Sequence, residues 1–256
     1  MLLQGKKAAI FNVANKRSIA WAIAQAFARE GAELVLGYQN ERLGEKVRAL
    51  IPELPKEPVL VELDVATDEA AARAAEQVRQ QVGELDVMVH SLAYAPSEAL
   101  EQPFLETSRE AFRTALEVST YSLILLTRAF RPLIKPGGSI LALTYYASQK
   151  VVPNYNVMAV AKAGLEVSVR YLAWELGEAG IRVNAISAGP LNTLAARGIA
   201  GFTGMLQHHR EKAPLRRNIE HHEVGDAAVF LASSLSSGIT GEVLYVDAGY
   251  NVMGLA

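Results

Sequence analysis

A doubly wound α/β fold is predicted by three observations. Short, continuously apolar runs alternate with amphipathic stretches along all 256 residues. Those runs lack the in–out alternation of a half-solvated sheet, so they read as parallel strands covered by helices on both faces. Helical stretches also stop at glycines, as at Gly31 and Gly83, just before the next apolar run begins.

The elements follow in order. "AAIFNV" (8–13) is a buried strand, and the helical pattern from Ser18 to Glu30 ends at Gly31. "AELVLGY" (32–38) is the second strand and "NERLGEKVRALI" (40–51) the second helix. "PVLVELDV" (58–65) is a third strand; the Ala-rich "TDEAAARAAEQVRQQVG" (67–83) starts on a good N-cap, Thr67. "LDVMVHSL" (85–92) is a fourth strand, and a long helix spans roughly 108–134, ending before "KPGG". "GSILALTYY" (138–146) is the fifth strand, 155–178 another long helix, "IRVNAIS" (181–187) the sixth strand and "EVLYVDAG" (242–249) the last. The sum is a single Rossmann-like parallel sheet of about seven strands, one dinucleotide-binding catalytic domain over residues 1–256. The stretch 189–218, "GPLNTLAARGIAGFTGMLQHHREKAPLRRN", is too long for an ordinary connection and too apolar for a disordered one. It reads as a helical flap over a substrate.

Composition removes several classes of function. Half the residues are hydrophobic, enough for a full core. Net charge is −2 and no basic run appears, so nucleic acid is not an expected partner. The absence of cysteine excludes disulfides, thiolate metal sites and thiol catalysis. "MLLQGKKAAIF" has none of the parts of a signal peptide, and no apolar run reaches the ~18 residues of a membrane span. A cytoplasmic protein is expected.

Sheets of this kind bind ligands outside the carboxyl ends of their strands. The first turn, "FNVANKRSIAWAIA" (11–24), has no glycine where a dinucleotide fold carries several. Asn12 stands in the first of those places and is the non-glycine residue best suited to left-handed backbone. Ser18 could cap the helix and donate to phosphate. Taken alone, this turn fits a capped helix in a non-binding protein equally well. Asp64 ends the third strand, where it could accept from an adenine amino group or simply close a turn. Ser91 and Ala93 in "HSLAYAP" (90–96) leave room for a ribose or nicotinamide to lie flat. "GYQNER" places no acid at the end of the second strand to bind a ribose 2′-hydroxyl. Gln39 could bond a ribose 2′-hydroxyl, while Arg42 and Arg17 could hold a 2′-phosphate. NADH is favoured, with NADPH open.

In "PNYNVMAVAKAG" (153–164), Tyr155 and Lys162 are spaced to lie two helical turns apart on one face. A nearby ammonium would favour the phenolate, lower the phenol's pKa and make it a proton donor near neutrality. It could also reach the ribose of a cofactor.

These residues, with "SIAWAIA" (18–24), "YSL" (121–123), "LTYYAS" (143–148), "VVPNYNVMAVAKAGLE" (151–166), "RVNAISAGPLNTLAA" (182–196) and "GITGEVLYVDAGY" (238–250), resemble the short-chain dehydrogenase/reductase superfamily. Within it they look like the NADH-type enoyl-[acyl-carrier-protein] reductases, over essentially the whole chain. Carbonyl reductases of the superfamily usually carry a serine on the fifth strand, where this chain has Tyr145. The resemblance implies hydride transfer from NADH to a trans-2-enoyl thioester on acyl carrier protein or coenzyme A, in fatty-acid elongation. It gives Tyr155 the hydrogen bond to the thioester carbonyl, Lys162 the nicotinamide ribose, and Tyr145 a place in the acyl pocket. Ser18, Ile19, Asp64, Val65, Leu92 and Thr193 fall on its cofactor-contact positions, joining Asn12, Gln39, Ser91 and Ala93. Ala95, Leu194, Ala195, Ala196, Phe202 and Met205 fall on its substrate side. Asn12 replaces the family's glycine, and Ala93 stands where glycine is frequent. The apolar faces "ALEVSTYSLILLT" and "AGLEVSVRYLAW" imply packing in a homotetramer. A carbonyl reductase on the same scaffold and a silent dinucleotide-binding protein stand as alternatives.

The pairs His208–His209 and His221–His222 read as solvated surface, because adjacent helical residues point about 100° apart and cannot converge on one metal. No metal is expected. His90 reads as a structural histidine.

Overall fold

The computed structural model describes residues 1–194, 196 and 201–254. Its strands are β1 (Lys7–Phe11), β2 (Glu33–Tyr38), β3 (Val59–Glu62), β4 (Leu85–His90), β5 (Ile134–Thr144), β6 (Arg182–Ala188) and β7 (Val243–Val246). The α-helices are α1 (Ile19–Arg29), α2 (Glu41–Arg48), α3 (Asp68–Gln81), α4 (Glu98–Glu101), α5 (Arg109–Leu116), α6 (Ser122–Phe130), α7 (Val157–Gly177), α8 (Phe202–Lys212) and α9 (His221–Ala232). All seven strands are parallel in one sheet of order β3-β2-β1-β4-β5-β6-β7. Every strand therefore ends on the same edge. The order reverses between β1 and β4, which places the topological switch point there.

Alternate residues of each strand feed two cores. Ala8 and Ile10 of β1 pack with α1 and α9, whereas Ala9 and Phe11 pack with α3, α6 and α7. Trp21, Phe27, Phe11 and Phe130 are fully buried in these layers, each contributing on the order of 2–3 kcal/mol. Helix α1 is buried on two sides because α9 approaches it closely. A β-carbon on Gly225 would stand 2.8 Å from the Ala22 carbonyl oxygen. That contact fixes the start of α1, with Ser18 as its cap, relative to the sheet.

Two expected helices differ from the sequence reading. The stretch 108–134 is not one helix. It breaks at Glu117–Tyr121 into a wide π turn between α5 and α6, and the chain enters β5 already at Ile134. Hydroxyl side chains compete with the backbone at the break. Ser122 Oγ donates to the Val118 carbonyl at 2.6 Å and Thr120 Oγ1 to the Ala161 carbonyl at 2.7 Å. The helix expected from 155 starts at Val157 instead, after a turn with two asparagines in left-handed backbone, Asn154 (φ 65°) and Asn156 (φ 44°).

Arg182 is buried at the start of β6 with no carboxylate partner among the described residues. Its guanidinium donates to the Leu231 carbonyl at 2.8 Å, Ser236 Oγ at 2.8 Å and the Ser233 carbonyl at 3.2 Å, where α9 ends. Burial lowers its pKa. These are the outward carbonyls of a helix C-terminus, which favour a cation. Arg182→Ala is expected to cost on the order of 2 kcal/mol, since it removes the charged donor while Ser139 Oγ and Ser236 Oγ still donate to the Leu231 carbonyl and Ser236 Oγ to that of Ser233; thermal denaturation checks this.

Candidate active site

The switch point is closed by one side chain. Phe11 and His90 are opposite each other in the β1–β4 register, and the next residue on each strand is Asn12 and Ser91. Asn12 takes φ 68° and its Nδ2 donates to the Ser91 carbonyl at 2.9 Å. The asparagine thus adopts the left-handed backbone expected of it and also ties the two diverging strands together. Glycine would keep the backbone but lose the tie; alanine would lose both. Asn12→Gly is expected to stay within about 1 kcal/mol of the parent and Asn12→Ala to lose about 2 kcal/mol, as measured by denaturant unfolding.

Ser18 caps α1, accepting from the Trp21 N–H at 3.3 Å. Its own hydrogen is already given to the Asn15 carbonyl at 2.7 Å, so the expected hydroxyl donor to phosphate is corrected. The free donors of that turn are instead backbone amides at the helix start, including that of Ile19. Gln39 is exposed after β2, and Asp64 is exposed after β3 with Oδ1 accepting from the Ala66 N–H at 3.1 Å, a turn role. Val65 and Leu92 pack into the core beneath α3, while Ala93 is exposed. Ala95 packs with Ala99, Ala111, Ala115 and Val157, which places it beside the start of α7.

The π turn serves this edge as well. Ser119 Oγ lies 2.9 Å from the Tyr94 nitrogen and 3.0 Å from its carbonyl oxygen, holding the loop that leaves β4. Ser122 Oγ lies 2.7 Å from His90 Nε2. Because Ser122 gives its hydrogen to Val118, His90 is the donor and its Nδ1 is the bare nitrogen, buried without a partner. Burial, reinforced by the Lys162 charge, holds the pKa of His90 down at about 3, so the ring is neutral.

Tyr145 and Tyr155 meet just past the end of β5, and Lys162 bonds the strand itself. Tyr145 follows the strand and its ring lies 4.9 Å from that of Tyr155, tilted by 55°. Lys162 on α7 is buried, and its Nζ donates to the Leu143 carbonyl at 2.7 Å. No carboxylate among the described residues lies within ion-pair distance of it. Burial lowers its pKa to about 8, against the upward pull of Glu166. Tyr155 does not share a helical face with Lys162, as the spacing implied. It sits in the turn before α7, between Asn154 and Asn156; Asn156 Nδ2 donates to the carbonyls of Ala99 (3.2 Å) and Gln102 (2.9 Å) at α4. The expected lowering of the phenol pKa is also corrected. Burial, and next the neighbouring Tyr145, raises the pKa of Tyr155, and burial likewise raises that of Tyr145. Both phenols are neutral hydrogen-bond donors through the physiological range.

Helix α8 covers this corner. Tyr145 Oη lies 3.4 Å from Met205 Sδ, Phe202 is buried, and a β-carbon on Gly201 would stand 3.8 Å from Asn154 Nδ2. Thr193 Oγ1 accepts from the Ala196 N–H at 3.1 Å and Leu194 is exposed. Ala195 lies outside the described residues. His209 is not solvated as expected: it is buried, stacked on Tyr250 at 4.9 Å, with Nδ1 3.2 Å from Asn218 Oδ1. His221 Nε2 bonds the Arg17 carbonyl at 3.0 Å, and His208 and His222 are exposed. Among the described residues no group of three or more His, Asp or Glu side chains could hold a metal.

Two surface hollows lie elsewhere, one of about 370 Å³ between α1 and α9 and one of about 310 Å³ beside β7. Neither is lined by Tyr145, Tyr155 or Lys162, so the site is defined by converging chemistry at the strand ends rather than by cavity size. A nicotinamide dinucleotide fits what that edge offers. The left-handed turn at Asn12 and the α1 amides suit a pyrophosphate. The buried Lys162 ammonium, with one carbonyl partner, has donors to spare for ribose hydroxyls. Sequence reasoning missed Asn156, Ser119, Ser122 and Glu166. The doubled asparagine around Tyr155 and the hydroxyl cluster "STYS" inside an apolar helix were the available signals.

Comparison with known proteins agrees with this geometry. A sequence profile of the family described as Enoyl-(Acyl carrier protein) reductase matches residues 13–251. The enoyl-[acyl-carrier-protein] reductase [NADH] of Rickettsia felis is 48% identical over 253 residues, which cover 99% of this chain and 97% of that one. The enzyme of the same name from a Nostoc species is 49% identical over 257 residues, 99% of each chain. Among solved structures, the Bacillus cereus enoyl-acyl carrier protein reductase with NADP+ and indole naphthyridinone superposes with a TM-score of 0.97, at 47% identity over 99% of each chain. The Aquifex aeolicus enoyl-[acyl-carrier-protein] reductase (NADH) gives 0.96 at 46% identity over the full length of both.

Proposed function

The chain belongs to the enoyl-[acyl-carrier-protein] reductase family and is an NADH-dependent oxidoreductase acting on carbon–carbon double bonds; from that premise we propose how its own residues carry the reaction. NADH, when bound, supplies a hydride to the β-carbon of a trans-2-enoyl thioester. Tyr155 donates its phenolic hydrogen to the thioester carbonyl oxygen, where negative charge gathers as the double bond is reduced. A donor placed for that developing charge is worth on the order of 3 kcal/mol, and more in a site that excludes water. Tyr145 packs against the Tyr155 ring, fixes its direction and walls the acyl pocket with Met205 and Phe202. Lys162 donates to the nicotinamide ribose while its bond to Leu143 holds it at the end of β5. The described residues of 189–218, chiefly α8, act as the flap over the acyl chain within one catalytic domain, and the enoyl group arrives on acyl carrier protein, with its coenzyme A thioester as an alternative form.

The observation that carries this reading is the pair of neutral phenols 4.9 Å apart just past the end of β5, with a buried ammonium bonded to the Leu143 carbonyl of that strand. A ketone needs a proton delivered to its oxygen for good, which calls for a group that gives one up. An enolate needs only a hydrogen bond until its α-carbon is protonated, and two phenols of raised pKa suit that task. Crotonyl thioester and a simple ketone, offered in parallel with NADH and with NADPH, test it. Consumption of NADH with the thioester is expected; turnover of the ketone alone would contradict the proposal.

Two further readings belong with it. Trp174 and Tyr171 on α7 are 79% and 66% exposed, and Ile124, Tyr121 and Phe112 add apolar surface on α5, α6 and the π turn. Such faces suit burial against other copies of this chain in a homotetramer; sedimentation at micromolar concentration should give a mass well above the monomer's. No helix among the described residues is long and apolar enough to cross a membrane, in keeping with a cytoplasmic site of action.

A further inference from the structure

Helix α7 grips the end of β5 at two successive points. Lys162 takes the Leu143 carbonyl. One turn later Glu166, buried, takes the next residue: its Oε1 accepts from Thr144 Oγ1 at 2.7 Å and from Ser148 Oγ at 2.6 Å. A single carboxylate oxygen therefore closes both ends of the five-residue segment 144–148. That segment carries Tyr145, which meets Tyr155 on one side and Met205 of the flap on the other. It also carries Tyr146, edge-on to Tyr250 at 5.9 Å.

A carboxylate is a costly group to bury, and its cost is offset only by hydrogen bonds and a neighbouring positive charge. Glu166 has the hydrogen bonds of two hydroxyls, and Lys162 stands four residues earlier on the helix, beyond ion-pair distance. An apolar residue would fill the same space and fasten nothing. We propose that Glu166 is a positioning residue for enoyl reduction: it fastens the 144–148 segment to α7, so that Tyr145 holds the Tyr155 ring in line, and it sets a negative charge one helical turn from Lys162. The proposal rests on the roles given to Tyr155 and Lys162 above.

The two effects separate experimentally. Glu166→Gln keeps an acceptor oxygen for the two hydroxyls but removes the charge. Glu166→Ala removes both, and Ser148→Ala removes one tie and leaves the charge. The titratable groups facing the pair are His90 on β4, toward Lys162, and Tyr245 on β7, toward Glu166. His90 is neutral across the working range and cannot replace the lost charge. Glu166 pulls the Lys162 pKa upward, so its neutralisation lets that pKa fall further below its ordinary value.

The experiment is steady-state reduction of crotonyl thioester by NADH across pH 6 to 9, with NADH affinity followed by fluorescence. At pH 6.5, Glu166→Ala is expected to lose kcat on the order of tenfold to a hundredfold, as a displaced reacting geometry does, with NADH affinity within threefold. Glu166→Gln should recover kcat to within about threefold of the parent, yet its alkaline limb should move to lower pH. Ser148→Ala should lower kcat with the limb unmoved. Equal loss in the Gln and Ala variants, an unmoved limb in the Gln variant, or an unchanged kcat in both Ala variants would each overturn the proposal. Tyr155→Phe and Lys162→Met run in the same series keep the two levels apart. If they lose activity and the Glu166 series fails as stated, only Glu166's role is wrong; if they keep it, the site assignment itself falls.

Discussion

Tyr155→Phe is expected to lower kcat for crotonyl thioester on the order of a hundredfold to a thousandfold while leaving NADH affinity within about threefold. The substitution removes one hydroxyl and nothing else. The ring contact with Tyr145, 4.9 Å between centroids, survives, and so does the turn set by Asn154 and Asn156. What disappears is a donor needed only as charge gathers on the thioester oxygen, so the loss falls on kcat and not on ground-state binding. Tyr145→Phe should cost far less, because its hydroxyl faces Met205 Sδ rather than the reacting carbonyl. Turnover by Tyr155→Phe at the parent rate would remove Tyr155 from the mechanism.

Lys162→Met should weaken NADH binding on the order of tenfold to a hundredfold, the loss of hydrogen bonds from a charged donor. It carries a second signature in stability. The ammonium's pKa falls to about 8 on burial, below the ordinary value for lysine. A lysine whose folded pKa is depressed penalises the folded state fully at pH below the folded value, and the penalty fades as pH rises toward the unfolded value. Methionine removes the penalty at every pH and also leaves the Leu143 carbonyl without its donor. The difference in Tm between variant and parent should therefore be more favourable to the variant at pH 7 than at pH 10. The opposite slope, or NADH affinity equal to the parent's, would contradict the buried-ammonium assignment. In the parent, NADH affinity should decline as pH passes about 8 and the ammonium discharges.

The sheet was legible because parallel strands are buried on both faces, and that burial writes itself as unbroken apolar runs such as "AAIF" and "VMVH". Asn12 was legible for a local reason: outside glycine, few residues tolerate φ near 68°, and an asparagine at a first-glycine position states its own conformation. Its bond to Ser91 was not, since that partner is 79 residues away. The π turn at 117–121 looked like plain helix because its apolar spacing continues through the break; the hydroxyls of Ser119, Thr120 and Ser122 create it by contacts with three other elements. Tyr155 and Lys162 were paired for a shared helical face, a geometry the structure does not have, because Tyr155 precedes the helix. The asparagines on either side of Tyr155 end regular backbone before the helix begins. Glu166 drew no notice within "AGLEVSV", and the packing of α7 on β5 turns it inward. The direction of the phenol shifts depends on burial, a three-dimensional quantity that seven-residue spacing does not contain.

The most direct test of the site chemistry is the titration of Tyr155 itself, followed by NMR of the ring-labelled enzyme with Tyr155→Phe as the assigning control. Held neutral by burial, its signal should stay at the phenol position throughout the range from pH 6 to pH 9. A phenolate emerging near neutrality would instead mean that a neighbouring cation activates the ring as an acid, and the hydrogen-bond mechanism derived from its burial would be wrong.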